Sequence, residues 1–244
     1  MKISIYIKGR DWTFQLAEVL SRTDNLDFLV TSYPKFFVKK YKVPAIFFFL
    51  MADYSTYDKN ISVINPTFRS LVKSVADYSI VSLMASYKSL SDLTTLKKER
   101  KRLINFINRP VKRVRQRFNR LNIPDAYRLM VDAGFNEDYS MGYTGKTGFR
   151  AGTCSPFYFY DISFEEQIPI QINSFCIQYT ALYKFKNISQ VEEKIIELSN
   201  RIREVDGDFN IVFSNEVLNL NERNAWKELY VNYLKMSAKN DIEE

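Results

Sequence analysis

Residues 45–50 read AIFFFL, six apolar side chains in succession. A strand with one wet face alternates apolar and polar residues. An unbroken run this short therefore fits a strand covered on both faces, as in a parallel sheet flanked by helices. Parallel strands need helical crossovers, and the flanking sequence has them. Asn65-Pro66 starts a helix through Ala76, with proline in its first turn. Ile80–Leu83 is a strand, and Ser91 or Asp92 caps a long helix to about Ile107 that Pro110 stops. Val111–Arg115 is the next strand, and Pro124–Ala133 a helix closed by Gly134. Ser189–Val205 reads as an amphipathic helix, Phe209–Phe213 as a strand and Arg223–Met236 as a last helix carrying Trp226. Ahead of the run, Lys2–Ile7 is a strand, Asp11 caps a helix, Phe28–Thr31 is a strand and Phe36–Lys40 a helical turn. Such alternation predicts an α/β fold, mainly parallel, in a sheet or barrel with helices outside. With neither repeat nor low-complexity linker, residues 1–244 are expected to form a single α/β domain.

The chain carries a formal charge of +7, unevenly spread. Lys97 to Arg120 holds 11 of the 35 basic residues and a single acid, Glu99. One segment thus makes the protein basic. It can be a solvated helix face followed by an edge strand, or a patch for an anionic glycan, a membrane surface or nucleic acid. No apolar run reaches the length of a membrane span, and MKISIYI lacks the apolar core and cleavage site of a signal peptide. Two cysteines, Cys154 and Cys176, are too few for a disulfide framework, which makes a cytoplasmic setting the expectation.

Five of the seven glycines fall between Gly134 and Gly152. Glycine is favoured where backbone must turn through positive φ or approach closely, so MGYTGKTGFRAGTCSPF should be a looping stretch. GKT is not a phosphate loop here. Ser140 stands where the first glycine is required, and no helix follows.

From Lys42 onward the wording resembles a bacterial branch of the polysaccharide deacetylase family. The resemblance rests on VPAIFFFLMADYSTYDKN (43–60), VSLMASYKS (81–89), RVRQRFNRLNIPDAYR (113–128), AGFNEDYSMGYTGKTGFRAGTCSPFYFYD (133–161) and IVFSNEVL (211–218). These stretches occur in the family's order and spacing. The resemblance implies a distorted or incomplete (β/α) barrel over residues 44–244, a divalent metal such as zinc, and hydrolysis of acetyl groups on glycans. Residues 1–43 instead resemble the opening of a retaining, two-Rossmann-domain glycosyltransferase, an atypical N-terminal β/α unit.

That family's chemistry uses a carboxylate and two imidazoles on the metal, a second carboxylate as base and a histidine as acid. Members of the branch resemble HPSY, RQHYL and WHNE at three motifs. Here these read Met84-Ala85-Ser86-Tyr87, Arg115-Gln116-Arg117-Phe118 and Phe213-Ser214-Asn215-Glu216, and the chain contains no histidine. A Met84 thioether is a poor zinc ligand, an Arg117 cation repels a dication, and the Ser214 hydroxyl does not titrate near neutrality. The acidic first motif is absent as well. The expectation is no metal cofactor and no metal-dependent hydrolase site.

Arg115 and Arg150 correspond, by the resemblance, to arginines near the family's pocket and could grip a sugar carboxylate or phosphate, or form ion pairs. Arg117, Asp161, Tyr87 and Asn215 complete the candidate substrate-binding set. Asp138 with Asp161 is the only acid pair suggested at strand ends. Asp53 and Asp58 follow the buried strand, where they could bind a hydroxyl or an ion, or cap a turn. Of the run Phe157–Tyr160, core packing is expected to claim more than sugar stacking. Cys154 has no base to activate it. The expected function is a polysaccharide-deacetylase-like protein that binds carbohydrate or an anionic glycan rather than nucleic acid. A glycosyltransferase-related enzyme of surface-polysaccharide synthesis is the alternative, and a purely interacting protein a third.

Overall fold

A computed structural model describes residues 46–185 and 187–213 in full, and residues 3–6 and 214 by their backbone. The expected helix at Asp11, strand Phe28–Thr31, helical turn Phe36–Lys40, helix Arg223–Met236 and site residue Asn215 lie outside the described residues. The described strands are β1 (Ile3–Tyr6), β2 (Ile46–Leu50), β3 (Ile80–Ala85), β4 (Arg113–Gln116), β5 (Glu137–Asp138), β6 (Phe157–Asp161), β7 (Glu166–Ile172), β8 (Ile177–Gln178) and β9 (Ile211–Ser214). The helices are α1 (Pro66–Ala76), α2 (Leu93–Ile107), α3 (Asp125–Asp132) and α4 (Ile188–Arg203). The protein is α/β.

Local chemistry explains the helix ends. The Asn65 side chain accepts from the Phe68 amide at 3.0 Å with Pro66 at the first position of α1. Asp92 caps α2 by accepting from the Thr95 amide at 3.1 Å and the Thr95 hydroxyl at 2.6 Å. Such caps satisfy amides that the first turn leaves without partners. Gly134, at φ +87°, ends α3 in the left-handed conformation a Cβ disfavours.

The strands form one sheet in the order β6-β7-β5-β4-β3-β2-β1-β9-β8. β2, β3, β4, β5 and β7 pair in parallel, as do β8 and β9. β1 is antiparallel to both β2 and β9, and β6 to β7. All strands but β1 and β6 therefore point one way. The reversal of β1 is a departure from simple β/α alternation.

The sheet's two faces differ. Phe47, Phe49, Met51, Leu83 and Val114 pack against Phe68, Leu71 and Val72 of α1, Leu103 of α2, Tyr127 of α3 and Ile195 of α4. All four described helices thus cover one face. The other face gathers Ile46, Phe48, Leu50, Met84, Tyr139, Phe175 and Val212, with no helix residue among them. β2 alternates between these clusters, which accounts for its unbroken apolar run.

The inner cluster is covered by the sheet's own curl. Residues 166–178 bond first on the β5 side, where Asn173 N donates to Asp138 O at 2.9 Å and Phe175 N to Met141 O at 3.0 Å. They then cross to the β9 side, where Cys176 N donates to Asn210 O at 2.9 Å and Ile177 pairs with Ile211. In a flat sheet β5 and β9 would stand roughly 24 Å apart, five spacings of about 4.8 Å. One segment can bridge them only if the sheet bends back on itself. No described helix is long and apolar enough to cross a membrane.

Candidate functional site

The curl leaves a cleft of about 220 Å³ near the C-terminal ends of the parallel strands, lined by Met84, residues 115–119, Thr144, residues 178–180 and Val212. Ligand sites of parallel α/β folds gather at this end. The register sets which side chains enter. Leu83 lies beside Val114, Met84 beside Arg115 and Ala85 beside Gln116. Leu83 and Val114 face the helices, so the period of two sends Met84, Arg115 and, one step on, Arg117 inward.

Arg115 is a strut rather than a free grip. It is 3% exposed. Its Nη1 donates to Tyr139 O at 2.9 Å, and its Nη2 to Asn119 Oδ1 at 2.6 Å and Gln178 Oε1 at 3.2 Å. The guanidinium carbon sits 4.7 Å over the Phe175 ring. Asn119 also donates to Gln178 and, at 3.2 Å, to Thr144. The loops after β4, β5 and β8 are thereby laced across the cleft floor.

Arg117, 7% exposed, lies with Nε 3.4 Å from Asp58 Oδ1 and its guanidinium 4.8 Å from the Phe118 ring centre. Buried Asp58 accepts the Tyr87 amide on both oxygens at 3.1 Å, and the Ser55 hydroxyl accepts the Asp58 amide at 3.0 Å. It both caps its turn and holds the next loop. One residue earlier, the Ser86 amide donates to Glu99 Oε2 at 3.1 Å. Burial pushes the Glu99 carboxyl up to about 7, and nearby Asp58 adds to the rise. Gln116 ties Ser86 O at 2.6 Å to the Ser140 hydroxyl at 2.7 Å through its side chain and its amide. Ser140 donates in turn to Asp138, whose carboxyl burial raises to about 6.

At the rim, Tyr57 stacks on Tyr87 at 4.2 Å, Tyr87 meets Phe118 edge-on at 6.3 Å, and Arg120 lies 4.9 Å from the Tyr87 ring centre. Phe118, half exposed at 50%, and Asn119 both have positive φ, 60° and 53°. Such strain at a non-glycine pair collects at binding sites.

Of the sequence candidates, Met84, Arg115 and Arg117 meet in the cleft, with Tyr87 on its rim. Arg150 is exposed and lines a neighbouring cleft with Ser91, Asn119, Arg120 and Asn122. Asp161 is elsewhere. It stands on β6, where Arg128 chelates it at 2.5 and 2.8 Å and holds its carboxyl below the usual range. Asp138 lies level with Ile172, and Asp161 level with Glu166 at the far end of β7. Six residues of strand part them, roughly 20 Å, so they are no catalytic pair. Ser214 is placed by its backbone next to Ser4. Asp53 points outward to Lys98 at 2.9 Å and Arg102 at 2.6 Å. In β6, Phe157 and Phe159 turn to the core while Tyr158 and Tyr160 are exposed. The basic stretch is not one surface either: Lys97, Lys98, Lys101 and Lys112 face solvent, whereas Arg115 and Arg117 are buried.

No family model and no curated protein matches this chain.

The described residues of the cleft do not form a ligand set for a hydrolytic zinc. Met84 is packed against Phe48, Tyr139 and Phe175, and the Arg117 cation sits beside Asp58. No three described Cys, Asp or Glu residues are grouped to hold a metal ion. Sequence reasoning missed Asn119, Thr144, Gln178 and Glu99. Only Glu99 had a legible signal, sharing the buried stripe of Leu96, Leu103 and Phe106 on α2.

Proposed function

We propose that this is a polysaccharide-deacetylase-like protein of carbohydrate metabolism that binds a glycan without hydrolysing it through a metal. The carrying observation is the make-up of the cleft: amides and hydroxyls (Gln116, Asn119, Thr144, Gln178, Thr180) with buried guanidinium groups, no carboxylate among the described lining residues, and an aromatic rim. Sugar hydroxyls exchange hydrogen bonds with such amides, and the apolar face of a sugar ring packs on aromatic rings. At about 220 Å³ the cleft is smaller than a drug-sized site of roughly 300–1,000 Å³ and suits a single ring of a longer chain.

The frame is a distorted (β/α) barrel of the polysaccharide-deacetylase type. Supporting it are the common direction of most strands, the helices confined to one face, and segment 166–178 bridging β5 and β9. The free Cys154 and Cys176 accord with a cytoplasmic setting.

The test combines calorimetric titration with N-acetylglucosamine oligosaccharides and an acetyl-release assay with added zinc. Binding that falls at least tenfold in Phe118→Ala, with no acetate released, is the expected result. Zinc bound one to one with turnover would overturn it.

A further inference from the structure

The second cleft, about 470 Å³, adjoins the first and shares Asn119 with it. Its described polar lining is Ser91, Asn119, Arg120, Asn122 and Arg150, again with no carboxylate among the described residues. Of the arginines nearby, Arg102 pairs with Asp53, Arg117 with Asp58 and Arg128 with Asp161, while Arg115 is engaged by Tyr139 O, Asn119 and Gln178. Among the described residues neither Arg120 nor Arg150 has an acid partner. Asp125, near in sequence, is engaged by Arg128 at 3.4 Å and by the Asn122 amide at 3.2 Å.

The Arg120 guanidinium and the Arg150 backbone are held in place. Arg120 donates to the Tyr87 hydroxyl and lies over that ring, which leaves other N–H donors of its fork. Arg150 sits in Gly148-Phe149-Arg150-Ala151-Gly152. Gly148 has φ +105° and donates to Cys176 O at 2.7 Å, and Gly152 has φ +72° and donates to Phe149 O at 3.2 Å. Phe149 and Ala151 pack on the core, so the turn presents Arg150 outward. The glycines therefore build a mount for one cation.

We propose that this second cleft is an oxyanion site, and that it receives an acidic substituent of the glycan (carboxylate, sulfate or phosphate) whose neighbouring ring occupies the first cleft. Two adjacent forked cations with amide and hydroxyl donors match a planar or tetrahedral oxyanion. The glycan part rests on the function proposed above; the anion part does not.

The experiment titrates the full chain with a neutral N-acetylglucosamine tetrasaccharide and with a tetrasaccharide alternating N-acetylglucosamine and glucuronate. Melting is then followed in sodium sulfate against sodium chloride at equal ionic strength. Expected are at least tenfold tighter binding of the acidic sugar, a ratio falling toward one in Arg150→Gln and Arg120→Gln, and a partly kept ratio in Arg150→Lys. Sulfate should raise the melting temperature of the wild type more than that of Arg150→Gln. Equal affinities for the two sugars overturn the acidic-glycan inference while leaving glycan binding intact. If neither sugar binds but sulfate stabilises only the wild type, the glycan function fails and the oxyanion site stands. If sulfate also acts alike on both proteins, both fail.

Discussion

Leu83 and Met84 are neighbours on one strand and belong to two different kinds of interior. Leu83, with Phe49 and Val114, faces the helices in a cluster built from apolar side chains. Met84 faces the inner space, where Arg115 and Arg117 are buried and Arg115 lies over the Phe175 ring. Burying apolar area is favourable by itself, at about 25 cal/mol per Å². Burying charge costs free energy unless partners are built around it. The outer interior therefore holds the fold together, while the inner one carries the cost of buried charge.

The comparison breaks most visibly on the outer side. Phe49→Ala removes a fully buried ring and should lower unfolding free energy by about 3–5 kcal/mol in urea titration. Oligosaccharide affinity per folded molecule should stay unchanged. Lost affinity at full folding would show that the two faces are not independent.

Next in size is the Glu99 carboxyl, raised from 4.5 to about 7 by burial. The folded form keeps its proton to higher pH than the unfolded one. Its relative stabilisation is therefore full below pH 4.5 and is lost as pH rises through 7. The ceiling on that loss is about 3 kcal/mol. Glu99→Gln keeps an acceptor for the Ser86 amide without the charge. It should match the wild type at pH 4.5 and exceed it increasingly up to pH 8. A stability difference flat in pH would mean that Glu99 is ionised throughout.

Arg115→Met tests the strut. It leaves Tyr139 O and Asn119 Oδ1 short of a donor in a buried place, while Gln178 Oε1 keeps Asn119, a loss of about 2 kcal/mol. It should also loosen the cleft, seen as faster amide exchange at Asn119 and Gln178. An effect near zero, with exchange unchanged, would make Arg115 a passenger.

Much of the outer architecture was legible. α1 and α2 start where Asn65-Pro66 and Asp92 say, because capping depends on side chains three residues away. β7 is absent from the sequence reading although it alternates, with Ile168, Ile170 and Ile172 buried; Pro169 at its centre weakens the strand signal. The antiparallel β1 was hidden too, since strand direction leaves no local mark. Within the site, Met84, Arg115 and Arg117 were legible by position. Gln178 was not: it is 63 residues from Arg115 and meets it only through the sheet's curl. Arg115 and Arg150 were singled out together, as a grip or as ion-pair partners; Arg150 lines the second cleft, whereas Arg115 ties loops together.

The smallest effect separates stability from binding at one residue. Phe118 holds φ 60° with its ring half exposed, so the folded core gains little from it. Left-handed backbone costs a non-glycine residue roughly 1–2 kcal/mol, and glycine is nearly free of that cost. Glycine also has more conformational freedom to lose on folding, which offsets roughly 0.5–1 kcal/mol. Phe118→Gly should thus be neutral or stabilising by up to about 1 kcal/mol in urea. The same change removes the ring that meets Tyr87 edge-on and backs Arg117 at the cleft rim. Oligosaccharide affinity should fall at least tenfold. A protein no less stable and a weaker binder would show that the strain at Phe118 is kept for the ligand. A destabilised protein with unchanged affinity would place Phe118 with Phe49, among residues that serve the fold.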